Sequence, residues 1–258
     1  MHPVLIKIGP LTLHTYGLFV AGAILAALWM GSRLAKARGI PPEKVMDLTF
    51  YAVLAGMAGA RLFYVLLNPA LFRGDWLGIL RVWEGGLVFY GGFIGALVAV
   101  LVYIRRHRLA GETIFDILAV AAPLGHAIGR IGCFFAGCCH GKVCDLPWAV
   151  TFTDPMTLAR PVGVPLHPTQ LYEAFANLLI FALLATLYHK KKLAGRLFLV
   201  YMMGYGMARA TIEIFRGDPR GFLFDGRLST SQALGLTAAA IAAVLLVVLH
   251  VRNKRADR

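Results

Sequence analysis

Hydrophobic residues form seven long runs along the chain, and polar residues gather between them. Six of the runs are 18–23 residues long and the first is 15, close to the length of a helix that crosses a hydrocarbon core of roughly 30 Å. The short alternating segments of a membrane barrel do not appear. The pattern therefore predicts an all-α polytopic membrane protein with about seven transmembrane helices. The predicted runs are Tyr16–Met30, Val45–Leu67, Leu87–Ile104, Ile114–Phe135, Leu171–Tyr188, Leu197–Phe215 and Ala233–Val251.

Local signals refine this outline. Ser229 and Gln232 have the spacing of a capping box, which predicts a helix start just before the last run. The largest piece outside the runs is about residues 136–170, and within it Trp148 to Thr153 alternate like a short strand. The whole chain, residues 1–258, is expected to form a single integral membrane domain.

Basic residues decide the expected orientation. More than half of the 26 Lys and Arg follow the first, third, fifth and seventh runs. Because cytoplasmic loops of membrane proteins are enriched in Lys and Arg, the N-terminus is predicted outside and the C-terminus in the cytoplasm. The four groups are Arg33, Lys36, Arg38 and Lys44; Arg105, Arg106 and Arg108; Lys190, Lys191, Lys192 and Arg196; and Arg252, Lys254, Arg255 and Arg258.

Composition narrows the class further. Hydrophobic residues make up 59% of the chain and charged residues 15%, with a mean hydropathy of +0.69. Soluble domains have fewer apolar and more charged residues, and disordered chains lack such apolar surface. The net charge of +13 is largely explained by the basic loops. No basic stripe with interleaved aromatic residues suggests a nucleic-acid partner, so none is expected.

Ionisable residues inside predicted spans are costly and mark candidate functional positions. They are Arg61, Asp116, His126, Arg130, Arg209, Glu213 and Arg216. On the sixth run, Tyr205, Arg209, Glu213 and Arg216 share one helical face. The predicted topology puts the arginines in the outer halves of their helices, with Tyr16 and Tyr90 near the outer starts of theirs.

Two interpretations of these arginines remain open. An Arg with a Glu four residues later can be a buried ion pair that fixes helix packing, and Arg216 can extend to the headgroup level. Alternatively, a surplus of cations at one depth indicates an anion, and guanidinium groups bind phosphate bidentately. The second interpretation predicts a site for a lipid phosphate facing the outer leaflet.

All four cysteines, Cys133, Cys138, Cys139 and Cys144, fall within a dozen residues. An oxidising outer compartment makes a disulfide between at least two of them the leading interpretation. Zinc is less favoured, because the usual paired C-x2-C spacing is missing. A membrane thiol-redox enzyme is a further alternative. Glycines also gather near this face, where they serve close helix packing or the approach of backbone N–H groups to a phosphate.

The stretch from Gly129-Arg130 to Gly141 resembles the signature of the prolipoprotein diacylglyceryl transferase family. Four further motifs match in order along nearly the whole chain. They are His-Thr-Tyr16-Gly17-Leu; Gly85-Gly86-Leu87-Val-Phe-Tyr90-Gly91-Gly92; His167-Pro168-Thr169-Gln170-Leu171-Tyr172-Glu173; and Arg209-Ala-Thr-Ile-Glu213-Ile-Phe215-Arg216. Tyr90 replaces the family's usual histidine, Cys133 its signature asparagine and Cys138 its glutamate.

The resemblance implies an enzyme that moves the diacylglyceryl group of phosphatidylglycerol onto the lipobox cysteine of a prelipoprotein signal peptide, forming a thioether and releasing glycerol phosphate. It implies a multi-pass protein of the bacterial inner membrane with its active site toward the periplasmic leaflet. No cofactor or metal is expected. The alternatives are the thiol-redox enzyme and a non-catalytic lipid-binding relative of the family.

On this resemblance, residues receive predicted roles. Arg130 and Arg209 bind the lipid phosphate, Glu213 orients Arg209, and Arg216 adds a headgroup contact. Gly91, Gly92 and Gly141 are expected in the phosphatidylglycerol site. Tyr16 and Tyr90 join the catalytic set. The general base stays open, with Tyr90, Glu213, His126 and His140 as candidates.

Overall fold

A computed structural model describes residues 2–9, 11–218, 221–223 and 228–256. Seven α-helices dominate this part of the chain, which confirms the predicted all-α polytopic class. They are α1 (Thr15–Ala37), α2 (Pro42–Leu67), α3 (Phe89–Arg106), α4 (Gly111–Ala136), α5 (Thr169–His189), α6 (Leu197–Glu213) and α7 (Thr230–Ala256). Six of the helices in these ranges are long and apolar enough to cross a membrane, and α6 has only 17 residues.

The strands are short and pair locally. They are β1 (Val4–Ile8), β2 (Leu11–His14), β3 (Val150–Thr151), β4 (Pro165–Leu166), β5 (Phe222–Leu223) and β6 (Leu228–Ser229), joined as three antiparallel pairs. β3 lies inside the segment predicted as a strand. The hairpin β1–β2 was not predicted, although the sequence Gly9-Pro10 between two apolar segments is a turn signal.

Two compact units divide the chain, residues 31–114 and the remainder. In the unit of residues 31–114, α2 and α3 pack through small residues. A Cβ at Gly59 would collide with the backbone of Gly91, and a Cβ at Gly95 would collide with the Ala55 carbonyl. A Cβ at Gly92 would lie 3.3 Å from the Ala60 side chain. The glycines therefore let the two helices approach closely.

Arg61 is buried in the same unit and binds backbone carbonyls. Its guanidinium donates hydrogen bonds to the carbonyls of Ile79 at 2.9 Å, Gly78 at 2.6 Å and Gly85 at 2.7 Å. These contacts fix the segment between α2 and α3. Arg61 therefore has a structural role in this unit, although the sequence placed it among the candidate functional residues.

In the other unit, α6 packs closely on α7 at Gly206 and Gly235. The predicted capping box is confirmed, since the Ser229 hydroxyl accepts from the Gln232 backbone N–H and the Gln232 side-chain oxygen Oε1 accepts from the Ser229 backbone N–H, each at 3.1 Å. Between α4 and α5, the loop has its own small core of Phe152, Ala159 and Leu166.

Asp116 is buried near the start of α4 and joins it to α6. Its carboxylate accepts hydrogen bonds from the N–H groups of Gly195 at 2.6 Å and Leu197 at 2.9 Å. These N–H groups lie at the α6 N-terminus, where helical donors lack partners within the helix. Asp116 thus caps a neighbouring helix.

Large apolar side chains cover the surfaces of the helices, as a hydrocarbon environment favours. The orientation of the termini and the single-domain assignment remain predictions. Of the fourth basic group, Arg258 lies outside the described residues, as do the side chains of Lys254 and Arg255.

Candidate functional site

Three helix ends bring ionised side chains together within one unit. Arg130 lies near the end of α4, Glu173 near the start of α5, and Arg209 and Glu213 near the end of α6. The C-terminal end of α4, the N-terminal end of α5 and the C-terminal end of α6 therefore meet. The set is here named the Glu173 cluster and comprises Arg130, Glu173, Arg209, Glu213, Arg216 and Asp218.

Glu173 is the centre of this cluster and is 1% exposed. Its Oε1 lies 2.9 Å from Arg130 Nη2 and accepts a hydrogen bond of 3.1 Å from the Tyr205 hydroxyl. Its Oε2 accepts from Arg209 Nη1 at 3.4 Å and lies 3.9 Å from Arg216 Nη1. One carboxylate therefore faces three guanidinium groups, one from α4, one from α6 and one from the segment just after α6.

The other two carboxylates each hold one arginine. Glu213 Oε2 lies 2.8 Å from Arg209 Nη2, one helical turn away. Asp218 accepts two hydrogen bonds from Arg216, of 2.9 Å from Nε and 3.0 Å from Nη2. The structure thus brings Glu213 to Arg209, the contact required by its predicted orienting role.

The charges within the cluster balance, which corrects the inference drawn from a surplus of cations. Three guanidinium groups face three carboxylates, so burial is compensated without a bound anion. The sequence argument counted one acid because Glu173 and Asp218 were missed. Glu173 lies within the predicted fifth run, so the criterion of an ionisable residue inside a span would have found it.

Arg216 is buried at 5% exposure, so its side chain points into the protein and does not extend along the protein surface. Its Nη1 has no hydrogen bond among the described residues. A buried donor without an acceptor costs roughly 1–3 kcal/mol. This atom is accordingly the best placed of the cluster's donors for an additional anionic oxygen.

His126 and His140, the two histidines among the candidate bases, are both hydrogen-bonded within the protein. His126 Nε2 accepts a hydrogen bond of 3.1 Å from Arg130 Nε and lies 3.5 Å from Glu173. His140 Nε2 accepts from the Arg160 N–H at 3.3 Å, and its Nδ1 lies 3.0 Å from the Gly141 carbonyl. His126 therefore orients Arg130, and His140 fixes a loop.

Backbone hydrogen bonds tie the loop after α4 to the end of α6. The Gly141 N–H donates to the His167 carbonyl at 2.9 Å, and the Lys142 N–H donates to the Phe215 carbonyl at 2.8 Å. A Cβ at Gly141 would lie 2.7 Å from each of those two carbonyl oxygens. Gly141 therefore allows three chain segments to meet beside Arg216, and its predicted contact with phosphatidylglycerol stays a prediction.

The cysteine segment is held by two fully buried side chains of α5. Gln170 Nε2 donates to the Cys138 carbonyl and Thr169 Oγ1 donates to the Cys139 carbonyl, each at 2.7 Å. All four cysteines are free thiols, so the expected disulfide is wrong. The Cys133, Cys138 and Cys139 sulfur atoms nevertheless lie within 4.8 Å of one another.

The predicted tyrosines fall in different units. Tyr16, in the first turn of α1, lies against the end of α4, where a Cβ at Gly132 would be 3.4 Å from its ring. It also interacts electrostatically with Arg130. Tyr90 is half exposed and packs its ring against Phe89, in the unit of residues 31–114. The roles of Tyr90, Gly91 and Gly92 stay predictions.

Comparisons with known proteins agree along nearly the whole chain. A family model described as prolipoprotein diacylglyceryl transferase matches residues 3–248. A relative from Nostoc sp. is 35% identical over 98% of this chain and 90% of its own length. Relatives from Clostridium tetani and Bordetella parapertussis are 34% and 37% identical, over 92% and 90% of this chain and 93% and 88% of their own. Each is named phosphatidylglycerol–prolipoprotein diacylglyceryl transferase.

Proposed function

The chain belongs to the prolipoprotein diacylglyceryl transferase family, and from that membership we propose that it transfers the diacylglyceryl group of phosphatidylglycerol to a cysteine of a prolipoprotein. The observation that carries the proposal is the likeness over nearly the full length of relatives named for this activity. The acceptor is the lipobox cysteine of a signal peptide, and the reaction takes place at the periplasmic leaflet of the bacterial inner membrane.

The chemistry defines what the site must supply. The cysteine sulfur attacks a primary carbon of the lipid glycerol, a C–S bond forms, and the C–O bond to phosphate breaks. Glycerol phosphate leaves with the electron pair of that bond. A thiolate is the reactive nucleophile, and charge grows on the departing phosphate. Fixed cationic donors beside the phosphate therefore stabilise the transition state more than the ground state.

The Glu173 cluster supports the phosphate role by preorganisation. Carboxylates hold Arg130 and Arg209 in place, so little reorganisation accompanies the reaction. A guanidinium has more N–H donors than these contacts engage, and Arg216 Nη1 has no hydrogen bond within the part of the chain that the structure describes. We assign Arg130 and Arg209 to the lipid phosphate, with Arg216 as a third contact.

The proton of the acceptor thiol needs a separate route. Glu213, one of the candidate bases, is held in an ion pair with Arg209 at 2.8 Å. Tyr90 remains a predicted catalytic residue, with a hydroxyl that positions the lipid glycerol.

Transfer is tested by incubating the purified protein with phosphatidylglycerol vesicles and a lipobox peptide. The expected product is the peptide with the added mass of one diacylglyceryl group. Arg130→Gln should abolish this product, whereas Arg81→Ala, which changes an exposed arginine paired with Asp75, should retain it. Lipid binding without product from the wild-type protein would identify a non-catalytic relative and refute the proposal.

A further inference from the structure

Three thiols lie together beside the Glu173 cluster. Cys133 is in the last turn of α4, and Cys138 and Cys139 follow in the loop that leaves this helix. Their sulfur atoms are all within 4.8 Å of one another. Ligands about 2.3 Å from a tetrahedral zinc ion are roughly 3.8 Å apart. Small side-chain rotations are therefore enough to close the three sulfurs around one ion.

The backbone of this loop is fixed in the conformation that gathers the sulfurs. Gly137 and Cys139 have positive φ angles of 77° and 63°. A non-glycine residue such as Cys139 adopts this conformation at a cost in energy. The hydrogen bonds from Thr169 and Gln170 to the loop carbonyls hold it there. The ligands are thus positioned before an ion binds.

The surrounding charges favour thiolates, the form in which cysteine binds metals. Arg216 and Arg130 lie near the Cys139 sulfur and stabilise negative charge there. Three thiolates and a divalent cation carry one net negative charge. The two neighbouring guanidinium groups stabilise that charge.

We propose that Cys133, Cys138 and Cys139 bind one thiophilic metal ion, of the class of Zn²⁺, through three thiolates and leave a fourth coordination position open. Soft thiolate ligands select such ions over Mg²⁺ and Ca²⁺. His140 does not supply the fourth ligand, since its Nε2 accepts from Arg160 and its Nδ1 lies beside the Gly141 carbonyl. Cys144 lies outside the three-thiol group.

The open position has a use in the transfer reaction, and this step rests on the proposed function. Catalytic zinc sites keep three protein ligands and one exchangeable position. A thiol that coordinates there loses its proton to the solvent, because a metal-bound thiol is deprotonated. The acceptor cysteine would attack the lipid glycerol as this bound thiolate. The thioether product carries no charge on sulfur and dissociates as a weaker ligand.

Metal binding is tested on the full-length protein, purified under reducing conditions in detergent and dialysed against buffered Zn²⁺. One ion per chain is expected for the wild type and for Cys144→Ser. Cys138→Ser and Cys139→Ser should lower the affinity for Zn²⁺ by more than about 100-fold. Loss of a residue that only contacts a ligand costs roughly 10–100-fold, and loss of a ligand itself should cost more. With Co²⁺ as the probe, the wild type should show sulfur-to-metal charge-transfer absorption, which these two variants lose.

Folding is followed in the same samples. Zn²⁺ should raise the melting temperature of the wild type and Cys144→Ser and leave Cys138→Ser unchanged, since ligands stabilise the state that binds them. The proposal is overturned if the wild type binds no Zn²⁺, if the variants bind it equally, or if mass spectrometry shows a disulfide between two of the three cysteines.

The role of the fourth position has its own readout. A lipobox peptide should shift the Co²⁺ absorption bands, and the same peptide with serine in place of cysteine should not. Chelation that removes the ion should lower transfer. Undiminished transfer by metal-free Cys138→Ser would refute the thiol-activating role. A wild-type protein that holds the ion and forms no product would instead refute the proposed function and leave the metal site standing.

Discussion

Glu173 is the residue on which the candidate site most depends. Its carboxylate faces Arg130, Arg209 and Arg216, which lie on α4, on α6 and just after α6. Glu213 is four residues from Arg209, so its contact was predictable from helical spacing alone. The partners of Glu173 are distant in sequence, and no local pattern reveals that they converge. Sequence therefore predicted the cations of the site and missed the acid that organises them.

Replacement of Glu173 by glutamine keeps the volume and removes the charge. We expect Glu173→Gln to lower the free energy of unfolding by about 3–5 kcal/mol, because buried guanidinium groups then lose a counter-charge. Transfer activity should fall to background. Thermal unfolding in detergent and the peptide assay measure the two effects. Glu43→Gln, at an exposed position, is the control. If Glu173→Gln unfolds with the same free energy as the wild type, the Glu173 carboxylate does not stabilise the cluster.

Tyr90 allows the hydroxyl to be separated from the ring. We expect Tyr90→Phe to lower kcat/KM for the peptide about fivefold, since a lost hydrogen bond in the transition state costs roughly 1 kcal/mol. The matched control is Tyr51→Phe, which removes a hydroxyl from another exposed tyrosine of the same unit. An unchanged kcat/KM would remove Tyr90 from the catalytic set.

At the scale of elements, hydropathy predicted all seven helices of the described residues. Most predicted ends lie within a few residues of the observed ones, and the runs for α1 and α7 end too early. The predicted run Val45–Leu67 corresponds to α2, Pro42–Leu67. Helix α7 extends beyond both ends of the predicted last run. The capping box placed the start of α7 closely, because its chemistry is local. The hairpin β1–β2 and the Asp116 cap were not predicted, since the partners of Asp116 lie about eighty residues away.

The Asp116 cap predicts a stability effect at the start of α6. Asp116→Asn should lower the free energy of unfolding by about 1–3 kcal/mol, because a neutral amide accepts hydrogen bonds from the Gly195 and Leu197 N–H groups less strongly. Glu112→Gln, on the exposed face of the same helix, should change it little. Equal melting temperatures for both variants would rule out the cap as a stabilising contact.

At the scale of the whole molecule, the basic loops predict which ends lie in the cytoplasm. Cys144 is partly exposed in the loop between α4 and α5, and this loop is expected outside. A membrane-impermeant maleimide added to intact spheroplasts should label Cys144. It should not label a cysteine introduced as Lys191→Cys in the loop between α5 and α6 until the membrane is permeabilised.

Peptide mapping assigns the label to individual cysteines, and Cys144→Ser serves as the background. Labelling of Lys191→Cys in intact spheroplasts would reverse the predicted orientation.

The division into two compact units could not be predicted from the sequence, because tertiary contacts between distant segments define it.

The balanced charges of the Glu173 cluster also determine how a lipid headgroup can bind there. A phosphodiester adds one uncompensated negative charge to a closed and poorly hydrated space. The headgroup phosphate therefore competes with these carboxylates for guanidinium N–H groups. Arg216 Nη1, which has no hydrogen bond among the described residues, can bind it without giving up such a contact.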